Sequence, residues 1–135
     1  MKLIEFSFGT FEFFPDIIIG KINDGIHYDV ECNDLLVTAA IAHYGLDHVL
    51  GYISVRENDY SVDPMIYLNN KLYENLACIG IVEKKRATPS TVDIEARFFK
   101  AEKLKSFSNA EDALVWTNAQ IASFLNAIII PTQLN

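Results

Sequence analysis

Two apolar runs with the length of single strands constrain the fold of this chain more than any other feature. Residues 49–55 and 76–82 are rich in side chains that favour β-structure, and polar residues bound each run. Short runs of this kind are typical of strands buried on both faces, as in a parallel sheet. Such a sheet needs helices on its faces, so we expect helices between and after these runs. Residues 104–107 predict a further strand at the edge of the sheet.

Two helix starts follow the apolar runs. Asp63-Pro64 and Thr88-Pro89 each combine a residue that caps helices with proline, which is favoured at the first helical position. They predict helices over residues 63–72 and 88–99. The order of strand, helix, strand and helix predicts a sheet whose parallel strands are joined by helical crossovers.

Two longer helices are predicted from the period of their apolar residues. From about Asp29 to Tyr44 only a narrow polar stripe interrupts the apolar positions, and Gly45 supplies a C-terminal stop. So wide an apolar surface indicates contact on more than one side of the helix. Asn109, with Asp112 three residues later, predicts the start of the last helix.

The first quarter of the chain has the pattern of strands instead. Ile4, Phe6 and Phe8 lie at alternate positions, which is the period of a half-buried strand, and residues 17–19 begin another strand. The sequence therefore predicts an α/β fold, a mixed sheet with antiparallel N-terminal strands and helical crossovers. A length of 135 residues, half of them apolar, fits one domain over residues 1–135.

Charge and cysteine content favour some partners and locations over others. The formal net charge is -7, which repels nucleic acid and anionic lipid at long range. Lys84-Lys85-Arg86 is the local exception. Cys32 and Cys78 lie in apolar segments, and we expect both to be reduced thiols. No signal-peptide pattern is visible and no run approaches the roughly 20 apolar residues of a membrane span, so we expect a cytoplasmic location.

No motif for catalysis or metal binding is recognisable. His43 and His48 are five residues apart across a helix end, which is not the one-turn spacing that directs two imidazoles to one metal. We expect them to interact with the helix end, and we expect His27 to have no catalytic partner. Asp59 and Asp63 could work as acid and base, but we expect them to solvate the loop, with Asp63 capping the following helix. The sequence predicts no enzymatic activity, no metal and no cofactor.

The order of elements and a C-terminal pattern resemble one known family. Residues 98–102, Phe-Phe-Lys-Ala-Glu, lead into the short strand at 104–107, and Ala113 and Trp116 form an Ala-x-x-Trp pattern in the last helix. This arrangement resembles the SpoIIAA-like branch of the STAS family, small domains similar to anti-sigma-factor antagonists with a fold related to Sec14 lipid-binding proteins. The resemblance implies a module that binds proteins or small molecules.

The same resemblance makes Ser61 a candidate phosphoacceptor. In the antagonist branch a serine near the start of the helix after the central strand is phosphorylated, within an Asp-Ser-Ser-Gly-like motif. The corresponding residues are 56–64, where Ser61 is the only serine and the Ser-Gly portion is missing. A phosphate on Ser61 would be repelled by Asp59 and Asp63, and we expect Arg56 to offset part of that repulsion.

Loops at the carboxyl ends of parallel strands are the usual ligand sites of open α/β sheets. In this chain the predicted loops are residues 23–28, 56–63 and 83–88. The candidate residues for binding a ligand or partner are Tyr28, Arg56, Asp59, Tyr60 and Lys84. Arg56 could bind an anion through its guanidinium group, or it could be an ordinary surface arginine.

Two functions from different classes fit these observations. The first is a non-enzymatic STAS-like regulatory or protein-interaction module that forms a homodimer. The second is a carrier of a small apolar ligand or lipid, with a pocket between sheet and helices. Pro131 predicts the end of regular structure. The residues before it are too apolar for a free tail, so we expect residues 127–135 to dock on the core or on a second subunit. Trp116 is either buried against a neighbouring segment or an exposed anchor at an interface.

Overall fold

A mixed six-stranded sheet runs through the part of the chain that the computed structural model describes, residues 1–68, 73–83, 91–100 and 102–133. Its strands, with one short accessory pair, are β1 (Lys2–Phe6), β2 (Gly9–Phe13), β3 (Ile17–Ile22), β4 (His27–Tyr28), β5 (Leu50–Arg56), β6 (Ser61–Val62), β7 (Leu76–Glu83) and β8 (Leu104–Phe107). The helices are α1 (Val30–Tyr44), α2 (Val92–Phe98) and α3 (Ala110–Gln133), with 3₁₀ helices at Pro64–Tyr67 and Tyr73–Asn75.

The strands of the large sheet lie in the order β1-β2-β3-β5-β7-β8. The strand β2 pairs antiparallel with both β1 and β3, and β5, β7 and β8 continue the sheet in parallel pairing from β3. The predicted mixed sheet with antiparallel N-terminal strands is confirmed, and β8 lies at the edge as expected. The two-residue strands β4 and β6 pair in parallel beside the large sheet.

Alternation along the central strand β5 gives the sheet two different faces. Leu50, Tyr52, Ser54 and Arg56 lie on the side of α1, which we call the α1 face. Ile53 and its alternate neighbours lie on the side of α3, which we call the α3 face. Successive side chains of a strand point to opposite sides, so one short segment lines both faces.

On the α3 face the helix lies directly against β5 and β7. Gly51 permits this approach, because a Cβ atom at that position would collide with the Cγ2 methyl group of Thr117 in α3. Ala113 and Thr117 are fully buried in the same contact. Small residues on the helix and the strand therefore set a short distance between them.

The helix α1 begins and ends where its sequence predicts. The Asp29 carboxylate caps it by accepting a hydrogen bond from the Cys32 amide at 3.0 Å. Gly45 ends it with a φ of 87°, a left-handed conformation that suits glycine. Ala40 is buried whereas Leu35 is exposed, so the described residues cover only part of the broad apolar surface that the sequence predicted.

The helix predicted over residues 63–72 was wrong in its length. Asp63 caps as expected, accepting a hydrogen bond from the Met65 amide at 3.0 Å. Only Pro64–Tyr67 is helical, as a 3₁₀ helix, and Leu68 is already extended. Residues 69–72 lie outside the described residues. A capping residue followed by proline marks where a helix starts and says nothing of where it ends.

The prediction that Pro131 ends regular structure was also wrong. The Asn109 side chain caps α3 as predicted, accepting from the Asp112 amide at 2.8 Å, and the helix continues through Pro131 to Gln133. So close to the C-terminal end, a proline removes one backbone hydrogen bond and need not stop the helix. Residues 127–133 therefore continue α3, and Ile128 is 52% exposed.

The remaining helical predictions concern α2 and Trp116. The helix expected over residues 88–99 is observed as α2 after Thr91, while residues 88–89 lie outside the described residues. Trp116 is half-buried and packs on Phe107 with ring centroids 5.4 Å apart, which fits the buried alternative. None of the helices within the described ranges has the length and apolar character needed to cross a membrane.

Candidate functional site

The α1 face contains a cavity of about 80 Å³ between α1, the first 3₁₀ helix and the central strands. Most of its wall is aliphatic. The wall includes Ile18, Leu36, Ala40, Leu50, Ile66 and Ile79. A concave apolar surface with a few polar groups is the usual form of a small-molecule site.

The polar groups of the wall include three hydroxyls and, apart from them, the Tyr28 hydroxyl, which donates to Asn33 Oδ1 at 3.0 Å. Tyr52 and Ser54 come from alternate positions of β5, and Tyr60 comes from the loop that follows. The Ser54 and Tyr60 hydroxyls are hydrogen-bonded to each other at 3.2 Å. The Tyr52 hydroxyl lies over Gly20 of β3, where a Cβ atom would collide with it. Among the described residues it has no hydrogen-bond partner.

Burial extends to higher pH the range in which the phenols of this site stay protonated. It raises the pKa of Tyr52 far above its ordinary value, and the nearby Tyr60 adds to the shift. Burial also raises the pKa of Tyr60, although Arg56 opposes the change. At neutral pH both groups are therefore neutral hydroxyls that can donate and accept hydrogen bonds.

A buried ion pair closes the polar end of the cavity. Arg56 donates to both carboxylate oxygens of Glu95 in α2, from Nη2 to Oε1 at 2.6 Å and from Nη1 to Oε2 at 2.7 Å. Tyr67 donates to Oε1 at 2.7 Å, and Thr91 donates to Oε2 at 3.1 Å. Glu95 is 1% exposed. Burial alone would lower the pKa of Arg56, but the hydrogen bonds and charge of Glu95 outweigh it and raise that pKa.

A second carboxylate lies near the same guanidinium. Glu83 Oε1 is 4.0 Å from Arg56 Nη1, so one positive charge faces two negative ones. Arg56 Nε and Glu83 Oε2 are buried without a hydrogen-bond partner among the described residues. The positive charge of Arg56 is therefore already matched inside the protein. The surface-arginine interpretation of Arg56 was wrong, because its side chain is only 11% exposed.

The structure brings together three of the five residues proposed for this region. Tyr28, Arg56 and Tyr60 line the cavity. Asp59 does not line it; its backbone is instead tied to the loop before β4 through hydrogen bonds with Asp24 and Gly25. Lys84 lies outside the described residues, as does the rest of the basic run at 84–86.

Ser61 lies beside His27 on the outside of the protein. The two residues pair between β4 and β6, and His27 Nδ1 is 2.6 Å from Ser61 Oγ. Their neighbours Tyr28 and Val62 face the cavity, so this exposed pair points away from it. His27 thus has a hydroxyl partner that the sequence did not predict. Arg56 is bound to Glu95, and the expectation that it would offset part of the charge of a phosphate on Ser61 stays a prediction.

The other two histidines pack at the opposite end of α1. His48 Nε2 lies 2.8 Å from the Pro15 carbonyl and 3.0 Å from Asp16, and its ring stacks on Tyr44. His43 meets the ring of Phe13 edge to face. Within the described ranges no three His, Cys, Asp or Glu side chains are grouped as metal ligands would be.

Four residues of this site were missed by the sequence analysis. Tyr52 and Ser54 share the alternate register of Arg56 within a run treated as uniformly apolar, and this polar alternation could have revealed them. Glu95 and Tyr67 carry no such signal, because their roles depend on partners 39 and 28 residues away in sequence.

Comparison of the chain with models of protein families, with curated proteins and with solved structures gives no match. The resemblance to the SpoIIAA-like branch of the STAS family therefore stays a prediction. The geometry of the site is the main ground for a functional proposal.

Proposed function

We propose that this protein binds a small, largely apolar molecule in the cavity of the α1 face and acts as a carrier or ligand-responsive module. The observation that carries this proposal is the aliphatic wall that ends in the hydroxyls of Tyr52, Ser54 and Tyr60. These hydroxyls are neutral at physiological pH, since a tyrosine ordinarily ionises only near pH 10, and burial raises the pKa of Tyr52 and Tyr60 further. Neutral, preplaced hydroxyls support recognition rather than proton transfer.

Filling the cavity should abolish binding without unfolding the protein. Ala40 lies fully buried on the cavity wall, and Ala40→Leu would place three more carbon atoms in that space. Ala42→Leu adds the same atoms on an exposed part of α1 and is the matched control. Gentle purification followed by native mass spectrometry, with a fragment screen by NMR, should find ligand or fragment binding in the wild type and in Ala42→Leu only. Binding that persists unchanged in Ala40→Leu would place the site elsewhere.

A protein-interaction function, with a homodimer, is the second candidate, and the surface of α3 favours it. Between Ala113 and Gln133 the helix contains no charged residue. Val115 is 72% exposed and Leu125 is 41% exposed. Exposed apolar surface of this kind supports a contact with a second copy or another protein. Light scattering at micromolar concentration should give a dimer mass, reduced to that of a monomer by Val115→Glu; a monomeric wild type would contradict the dimer.

Regulation by phosphorylation of Ser61 and a cytoplasmic location belong to this second candidate. His27 Nδ1, 2.6 Å from Ser61 Oγ, would be the nearest cationic partner of a phosphate once protonated. Both cysteines are free thiols, which supports a reducing compartment. Intact-mass analysis of the protein from its native cells tests the modification, and a uniformly unmodified chain would count against it.

A further inference from the structure

We propose that the ligand of this cavity is an uncharged molecule of a few non-hydrogen atoms, held by one hydrogen bond to the Tyr52 hydroxyl. The inference rests on the proposed binding function and adds the chemical class of the ligand. It follows from the charges around the cavity, from the one unpaired hydroxyl and from the volume.

An anionic ligand is disfavoured by the ion pair at the polar end. Among the described residues that line the cavity, Arg56 is the one charged side chain. Both of its terminal nitrogens are bonded to Glu95, and Glu83 lies 4.0 Å away. A carboxylate entering the cavity would find the Arg56 charge already paired with Glu95, only Nε of its guanidinium unbonded, and a second negative charge on Glu83 nearby. Burying an unpaired charge in such surroundings is costly.

A cationic ligand is disfavoured for a related reason. No carboxylate side chain lines the cavity among the described residues. The nearest, Glu95, already accepts hydrogen bonds from Arg56, Tyr67 and Thr91. An ammonium group could reach this carboxylate only by displacing one of these donors. The site therefore selects neutral molecules.

The Tyr52 hydroxyl is the group placed to recognise such a molecule. Ser54 and Tyr60 share one hydrogen bond at 3.2 Å, whereas the Tyr52 hydroxyl has no partner among the described residues. Gly20 has no side chain, and the Tyr52 hydroxyl lies in the space that a Cβ atom at that position would occupy. A phenol both donates and accepts, so alcohols, ketones, aldehydes and amides are all suitable partners.

The volume limits the size of the ligand. Roughly 10–15 Å³ of cavity volume holds one water molecule, and the cavity measures about 80 Å³. The enclosed part of a ligand is therefore comparable to a short alcohol or ketone.

Three probes of similar size and different charge test the inference: 1-butanol, butyrate and butylamine, titrated at pH 7 into the ¹⁵N-labelled full chain. We expect 1-butanol to bind at least about ten-fold more tightly than either ion, because neither charge finds a free partner. Tyr52→Phe should weaken 1-butanol about two- to ten-fold, the effect of one hydrogen bond. Tyr44→Phe, outside the cavity lining, is the control. Xenon, which makes no hydrogen bond, should bind Tyr52→Phe and wild type alike.

The outcomes separate the two proposals. If butyrate or butylamine binds more tightly than 1-butanol, the neutral-ligand inference is overturned while the binding function stands. If Tyr52→Phe leaves 1-butanol binding unchanged, or weakens xenon equally, Tyr52 is not the recognition group. If none of the four probes binds the wild type, the binding function fails and the inference fails with it.

Discussion

On the α3 face the helix approaches the strands so closely that Gly51 has no room for a Cβ atom, whereas on the α1 face tyrosines, an ion pair and a cavity separate helix from sheet. Both faces are built by the same central strand. The α3 face uses glycine, alanine and threonine, and the α1 face uses Tyr52, Ser54 and Arg56. The residue alternation of β5 thus divides the sheet into a packed side and a side with space for a ligand.

This difference separates the residues that hold the fold from those available for binding. Each contact in a closely packed region adds dispersion energy, whereas the atoms that line a cavity lack such contacts on one side. A cavity also needs support at its rim, and here the buried network around Glu95 supplies it by joining β5, α2 and the first 3₁₀ helix. Substitutions on the two faces should therefore fail for different physical reasons.

The largest effect is expected from Glu95→Leu, on the α1 face. It leaves the Arg56 guanidinium buried with Glu83, 4.0 Å away, as its remaining counter-charge among the described residues. Removing one partner of a buried pair costs about 3–5 kcal/mol of unfolding free energy. Urea denaturation measures this cost. The double variant Arg56→Met with Glu95→Leu replaces the pair by apolar side chains and should regain part of the stability, because Glu83 still loses its counter-charge. A single variant as stable as the wild type would show that the pair does not support the cavity.

A smaller loss of unfolding free energy is expected from Gly51→Ala, on the α3 face. The added Cβ would collide with the Thr117 methyl group, and overpacking of this kind costs about 1–3 kcal/mol. Gly80→Ala is the matched control, because its Cβ would make only ordinary van der Waals contacts, the nearest at 3.4 Å from Thr117 Oγ1. Thr117→Ser removes the colliding methyl group, so adding it to Gly51→Ala should restore stability. If Gly80→Ala is equally harmful, the close approach at Gly51 is not the cause.

The smallest effect is expected in the way that the unfolding free energy depends on alkaline pH, which should differ between groups on the two faces. Burial raises the pKa of Tyr44 to about 12, with Asp16 adding to the shift. Since the unfolded chain releases this proton near pH 10, the contribution of Tyr44 to the unfolding free energy should be constant below that pH and fall between about pH 10 and 12. Burial raises the pKa of Cys78, on the α3 face, to about 11. The contribution of Cys78 to the unfolding free energy should begin to fall at a lower pH, about 9.

Urea titrations at several alkaline pH values separate these two contributions. Tyr44→Phe should flatten the fall above pH 10, and Cys78→Ala should flatten the fall that begins near pH 9. An identical pH profile in both variants and the wild type would mean that neither group is protected by burial.

The sequence predicted the parts of the fold that depend on period and on local signals. The alternation of Ile4 and Phe6, the caps at Asp29 and Asn109 and the glycine at position 45 all act within a few residues, and the structure contains the elements they indicate. The length of the first 3₁₀ helix was missed because its end depends on packing rather than on a stop signal. The two-residue strands β4 and β6 are too short to show a period.

The candidate site was less accessible to sequence reasoning. Tyr28, Arg56 and Tyr60 were found because parallel strands end at one edge of the sheet, which is a rule of topology. Glu95 was missed because nothing near it in sequence requires a buried carboxylate. The Glu95 carboxylate is buried because it pairs with Arg56, and α2 contacts Arg56 only in the folded chain.

The sheet ends on one side at β1 and on the other at β8, and this arrangement bears on self-association through backbone pairing. A terminal strand offers unpaired amide and carbonyl groups to any other strand, which is the first step of fibril growth. Both terminal strands are short, and each carries an exposed lysine, Lys2 on β1 and Lys105 on β8. Stacking like strands from two chains would bring these charges together. Addition of strands from chain to chain is thereby disfavoured.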